Sequence, residues 1–225
     1  MDKKTKSVQE WDKTFPKSEK VKHEKVTFKT QYGLTLAADL YIPKYAEGKL
    51  PAIAVSGPFG AVKEQCSGLY AQTMAERGFI TIAFDPSFTG ESSGEPRRTA
   101  SPDINTEDFL AAVDYLSMRD DVDAGRIGII GICGWGGIAL NAAAQDPHIK
   151  ATAAITMYDM SRVSGNGSTT PPAIVNVPFL RSAVRASSHA FRAAYRFSSL
   201  SSASKYPFPL TLLISYMVIA AVALM

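Results

Sequence analysis

The stretch Arg126 to Ala143, RIGIIGICGWGGIALNAA, constrains this chain more than any other. A short apolar run rich in isoleucine ends in a turn holding Gly131, Gly134, Gly136 and Gly137, and an Ala-rich run with helical spacing follows at once. A strand-turn-helix of this kind projects one side chain, here Cys133, from a sharp turn while small neighbours let the backbone pass closely. If Cys133 is a nucleophile, the N–H of Gly134 points with the helix start toward a developing oxyanion, and the helix dipole lowers the thiol pKa. The alternative is a small buried hydrophobe at a strand end, as free cysteines often are.

The remaining text alternates. Val26 to Thr30 and Leu34 to Ile42 read as strands of an opening antiparallel hairpin with Gln31-Tyr32-Gly33 as its turn. Pro51 to Ser56 reads as a strand, Glu64 to Arg77 as a helix and Phe79 to Phe84 as a strand. Asn105 to Met118 reads as a helix capped by Asn105 or Thr106 with Phe109, Val113 and Leu116 inward, and Ile149 to Thr156 as a further strand. The expected fold class is α/β, a mostly parallel sheet with covering helices and an N-terminal antiparallel hairpin, incomplete at its C-terminal end.

Length and composition suit one such domain: 225 residues, 46% hydrophobic. Residues 1–21 read as a loosely docked Lys-rich arm, 22–163 as the core, and 164–225 as an atypical Ser/Ala/Arg-rich tail with an apolar end. All 21 acidic residues lie at or before Asp159 with 18 of the 24 Lys and Arg, so that part carries −3 and the rest +6. The tail arginines are interleaved with Ser and Ala in no recognisable nucleic-acid motif, so no nucleic-acid partner is expected. Two distant cysteines and a start without an apolar core point to a reducing cytoplasm. Leu210 to Met225 is apolar but shorter than the ~20 residues of a spanning helix, which leaves membrane contact and a buried segment both open.

Arg126 to Ala143, with Ser56-Gly57-Pro58-Phe59-Gly60 and the segment from Phe84-Asp85-Pro86 to Gly94-Glu95-Pro96-Arg97, resembles the dienelactone-hydrolase-like branch of the α/β-hydrolases over about residues 22–163. The resemblance implies ester-like, small-molecule acyl substrates, no cofactor, and an order of nucleophile, acid, then histidine. Cys133 matches the nucleophile position. Trp135 stands where the five-residue elbow usually has Gly and where some relatives carry a serine, and in that register the nucleophile is lost. The loop after the third strand holds the second oxyanion donor in such folds. Pro58 has no N–H, so Phe59 or Gly60 supplies it, beside Gly134.

The partners are harder to place. His23 precedes the sheet and is expected to be exposed, and His148 lies at the sheet end opposite the elbow. His189 alone follows the elbow in the expected order, with Asp159 as carboxylate directly after the strand Ile149 to Thr156. The Gly90-Glu91-Ser92-Ser93-Gly94 motif sits in a polar loop with no helix behind it, so Ser92 reads as a loop residue. Two functions follow: a hydrolase of ester, thioester or lactone substrates acting through Cys133, or an inactive, truncated or diverged hydrolase fragment that self-associates or attaches to a membrane through its tail.

Overall fold

The computed structural model describes residues 11–157 together with the short strand 222–223. Its elements are β1 (Val21–Lys29), β2 (Thr35–Pro43), β3 (Leu50–Ser56), α1 (Cys66–Ala75), β4 (Ile80–Phe84), α2 (Pro102–Ser117), β5 (Val122–Ile132), α3 (Trp135–Gln145), β6 (Ile149–Ile155) and β7 (Val222–Ala223). The sheet order is β1-β2-β4-β3-β5-β6-β7. β1 and β2 form the expected hairpin, with Phe28 opposite Leu36 and Gly33 in the left-handed region that its turn needs. β4, β3, β5 and β6 are parallel, as short apolar runs separated by helices require. β7, inside the apolar stretch Leu210 to Met225, pairs antiparallel with β6.

Both faces of the sheet are covered. On one, Phe109, Ala112, Val113 and Leu116 of α2 and Trp135, Ala139 and Ala142 of α3 close over Leu40, Ala54, Ile82 and Ile129. On the other, Ala71 and Ala75 of α1 pack with Val55, Ile130, Ile132 and Phe15. α2 begins earlier than its apolar spacing suggested. Ser101 is its cap, accepting from the Ile104 N–H at 3.5 Å, Pro102 opens the first turn, and Asn105 and Thr106 are buried within the helix. Among the described residues no helix is long and apolar enough to cross a membrane.

Residues 11–20 depart from the loosely docked arm expected. They form a strap on the α1 side: Phe15 is buried, the Thr14 N–H donates to the Glu64 carbonyl at 3.0 Å, and Gln72 donates to the Pro16 carbonyl at 2.9 Å. The Lys13 ammonium pairs with Asp39 at 2.8 Å, both side chains fully enclosed. His23, expected to be exposed, is largely covered and meets Asp39 at 2.9 Å, because Trp11 packs edge-on against its ring and Tyr41 tilts against it. Burial alone would raise the Asp39 carboxyl, but the hydrogen bonds from His23 and Lys13 outweigh it and hold the group below the ordinary carboxylate range.

A depressed carboxylate contributes stability that is present above its unfolded pKa and lost as pH falls through the folded one. Acidification below about pH 4, the ordinary carboxylate value, should therefore begin to release the strap as Lys13 loses its buried partner. Trp11 fluorescence in a Trp135→Phe background follows that step. A signal that changes only together with far-UV circular dichroism, at the global transition, would refute a separately titrating strap.

Candidate functional site

Cys133 sits at the junction of β5 and α3 with φ of 59°. Its N–H donates to the Ile155 carbonyl at 2.8 Å and its carbonyl accepts from the Gly136 N–H at 3.0 Å, so both sides of the turn are tied down. A non-glycine residue held in the left-handed region costs about 1–2 kcal/mol and persists where the surroundings dictate it. Strand and helix approach closely because Gly131 has no side chain: a Cβ there would run into the Trp135 carbonyl oxygen and stand 2.7 Å from the Ala139 Cβ. The Cys133 side chain is half-buried at the edge of the α1-side core.

The loop after β3 lies directly against this turn. Gly57 has φ of 99°, and a Cβ on it would collide with the Ile132 carbonyl oxygen and stand 2.9 Å from the Trp135 Cβ. Phe59, two residues on, is half-exposed. Among the described residues the N–H groups of Phe59 and Gly134 spend themselves on no acceptor.

The described residues with a left-handed φ other than glycine are Phe88, Arg98, Cys133 and Thr156. Cys133 and Thr156 follow the C-terminal ends of β5 and β6, and Phe88 and Arg98 lie in the loop that leaves the C-terminal end of β4. Ligand sites in α/β sheets form at this edge. A cavity of about 580 Å³ opens there, with Phe59, Phe88, Arg97, Arg98 and Trp135 among its lining residues.

The walls are held by charge. The Lys63 ammonium, 1% exposed, reaches Glu64 at 2.7 Å, Asp85 at 2.9 Å and Glu91 at 2.7 Å, while its backbone N–H donates to Asp85 at 2.7 Å. Burial opposes that charge, yet the carboxylates prevail and raise the Lys63 pKa, and Lys63 in turn lowers that of Glu91. Behind Phe88, the Asp108 carboxylate accepts from the Ser87 N–H and hydroxyl at 2.9 and 2.6 Å and from the Asn105 amide at 2.9 Å. Burial raises the Asp108 carboxyl against those hydrogen bonds.

Of the residues singled out from sequence, Cys133, Gly134 and Phe59 come together at this edge. Asp159 and His189 lie outside the described residues. Ser92 is a loop residue as read: its buried hydroxyl donates to the Asp85 carbonyl at 2.7 Å and accepts from the Ala37 N–H at 2.9 Å. His148 pairs with Asp146 at the start of β6, and the run from Ile127 opposite Ile149 to Ile132 opposite Ile155 separates it from the elbow by roughly 20 Å at the rise of a strand. His23 is committed to Asp39.

Comparison with known proteins now adds a family. Residues 33–199 match the model of the X-Pro dipeptidyl-peptidase (S15) family. The chain belongs to the S15 family. An uncharacterised Pseudomonas aeruginosa protein, PA2218, is 69% identical over 161 residues, 71% of this chain and 43% of that protein. Its crystal structure superposes with a TM-score of 0.71 at 59% identity, covering 81% of this chain and 59% of the other. The thiohydrolase aneE of Aspergillus aculeatus is 32% identical over 133 residues, 59% of this chain and 41% of that enzyme. The α/β-hydrolase GrgF from a Penicillium species superposes with a TM-score of 0.57 at 28% identity, over 64% of this chain and 50% of its own. The α/β-hydrolase resemblance read around Cys133 therefore holds, and the S15 chain spans less than half the length of these curated relatives.

Proposed function

We propose that this chain carries the nucleophile and oxyanion elements of an acyl-transfer hydrolase acting on ester, thioester or lactone carbonyls. Cys133 is the nucleophile, and the backbone N–H groups of Gly134 and Phe59 receive the oxyanion. The observation that carries the reading is the strained turn at Cys133, fixed on both sides and backed by the Gly57 loop. The thiolate attacks the carbonyl carbon, a C–S bond forms and the π pair moves to oxygen, where two unspent N–H donors and the start of α3 stabilise it. Collapse expels the alcohol or thiol, which takes up the proton lost by Cys133, and water then hydrolyses the thioester to release acid and restore the thiol. Asp159 and His189 follow Cys133 in the chain order of acid and base expected for such sites. The similarity to a thiohydrolase favours acyl thioesters among these small-molecule substrates, in a cytoplasmic setting.

A second reading has its own support. Neither described histidine stands beside Cys133, and the side chain packs against the core as a small hydrophobe would. On this reading the fold is an inactive hydrolase fragment that associates or attaches through its apolar tail.

Peptide mass spectrometry after treatment with a chloromethyl-ketone acyl-transfer probe separates the two. Labelling of the Cys133 peptide in wild type, absent in Cys133→Ala, is the expected result. Cys66 is the internal comparison, since burial raises its thiol pKa and leaves it a poor nucleophile. If Cys133 ignores the probe yet alkylates with iodoacetamide no faster than an ordinary exposed thiol, the inactive reading stands.

A further inference from the structure

The cavity at this edge of the sheet, which Trp135 lines two residues after Cys133, has an uneven charge that the acyl-transfer reading leaves unused. Among the described residues its charged lining residues are Arg97 and Arg98, and no described Asp or Glu lines it. The two arginines differ in what they do. The Arg97 guanidinium is consumed by the loop, donating to the carbonyls of Ser92 at 2.5 Å, Gly94 at 3.2 Å and Gly90 at 2.6 Å. That clasp fixes the loop from which Arg98 extends. Arg98 itself is exposed, with φ of 60°, and its N–H donates to the Phe88 carbonyl at 2.9 Å. Its side chain has no hydrogen bond or ion pair among the described residues.

The described acids of this loop are already committed. Asp85 and Glu91 hold Lys63, and Glu95 accepts from the backbone N–H of Arg97 at 3.1 Å. A second donor on the cavity wall is also unspent: Trp135 is 3% exposed and its indole N–H has no acceptor among the described residues. A long cationic side chain carried on a strained backbone, unpaired among the described residues, on the wall of a cavity with aromatic sides, suits a ligand with an apolar body and an anionic end.

We infer that Arg98 is a specificity-determining residue, and that the cavity takes acyl compounds bearing a free carboxylate, which the Arg98 guanidinium grips while Phe59, Phe88 and Trp135 enclose the hydrocarbon. The inference deepens the acyl-transfer reading by naming a substrate class, but the binding it describes does not depend on Cys133 reacting.

The test is a titration calorimetry series on the full chain in the Cys133→Ala background, with 4-phenylbutyrate and its neutral isostere 4-phenylbutyramide as ligands. The carboxylate is expected to bind roughly tenfold or more tightly than the amide, as a charge-assisted bidentate contact provides, with the preference shrinking as salt is added. Arg98→Gln should erase the preference, leaving amide binding unchanged. Arg98→Gly, which relieves the left-handed backbone, should erase it as well, so a folding defect cannot account for both. Equal affinity for the two ligands, or a preference that survives in either variant, overturns the assignment. Tighter binding of phenylpropylphosphonate than of 4-phenylbutyrate overturns the carboxylate choice. Because the nucleophile is absent throughout, failure here leaves the labelling of Cys133 standing, and failure of that labelling leaves this result standing.

Discussion

Gly131→Ala is expected to destabilise the protein by about 3 kcal/mol, at the upper end of the cost of overpacking. One methyl group has this effect because of what it meets: the Trp135 carbonyl oxygen inside contact distance, the Trp135 carbonyl carbon at 2.8 Å and the Ala139 Cβ at 2.7 Å. None of these is the movable end of a side chain, so β5 and α3 must separate. The separation falls between Ile132, which pairs with Ile155 in the sheet, and Gly136, whose N–H bonds back to Cys133, and so it displaces the turn itself. Urea denaturation should show a lower midpoint with little change in slope, and probe labelling of Cys133 should fall at concentrations where the variant is still folded. Gly125→Ala is the control, since a Cβ there meets only the Asp123 carboxylate, at 3.3 Å on the surface. A Gly131→Ala midpoint equal to wild type would mean that strand and helix are not in such close contact.

What the sequence disclosed and what it hid divide along the range of the interactions. Each element from β1 to β6 was readable because apolar spacing and Gly or Pro punctuation are local, and a parallel order of short apolar strands follows from the helices between them. Cys133 was readable for the same reason, its environment being set by residues 131 to 137. The histidine at the far end of the sheet followed from strand direction alone. The strap did not. Lys13 and Asp39 are 26 positions apart, and nothing in a Lys-rich arm says which lysine will be enclosed. Lys63 and Asp85 were equally silent, because a buried ion pair depends on two loops being brought together by β3 and β4. The start of α2 is locally ambiguous: Ser101 followed by Pro102 is a good cap, but Asn105 and Thr106 offer the same chemistry closer to the apolar run. The arginine pair was visible as letters, and its division of labour, one side chain spent on carbonyls and one unspent, arises only from the folding of the loop between Asp85 and Arg98.

Lys63→Met is expected to cost about 3–5 kcal/mol, the range for removing one partner of a buried pair. The figure rests mainly on Asp85, which is fully enclosed and keeps only the N–H groups of Lys63 and Glu91 once the ammonium is gone. Glu91, 58% exposed on its side chain, is rescued by water and contributes little. A double-mutant cycle separates the stranded charge from lost packing: adding Asp85→Leu to Lys63→Met should recover part of the loss, since the unpaired charge is gone while the Lys63 and Glu91 N–H groups lose their acceptor. The single variant should also loosen the segment from Pro58 to Lys63, which Asp85 grips by a backbone N–H as well as by the ammonium, and with it the Phe59 wall of the cavity. Hydrogen exchange of the Ala61 and Val62 amides, bonded to the Pro58 carbonyl and the Gln65 side chain, should accelerate in Lys63→Met and at least as much in the double variant, which also loses the carboxylate that holds the Lys63 N–H. Exchange that returns to the wild-type rate in the double variant would show that the stranded charge of Asp85, and not the loss of its grip on the Lys63 N–H, loosens the loop.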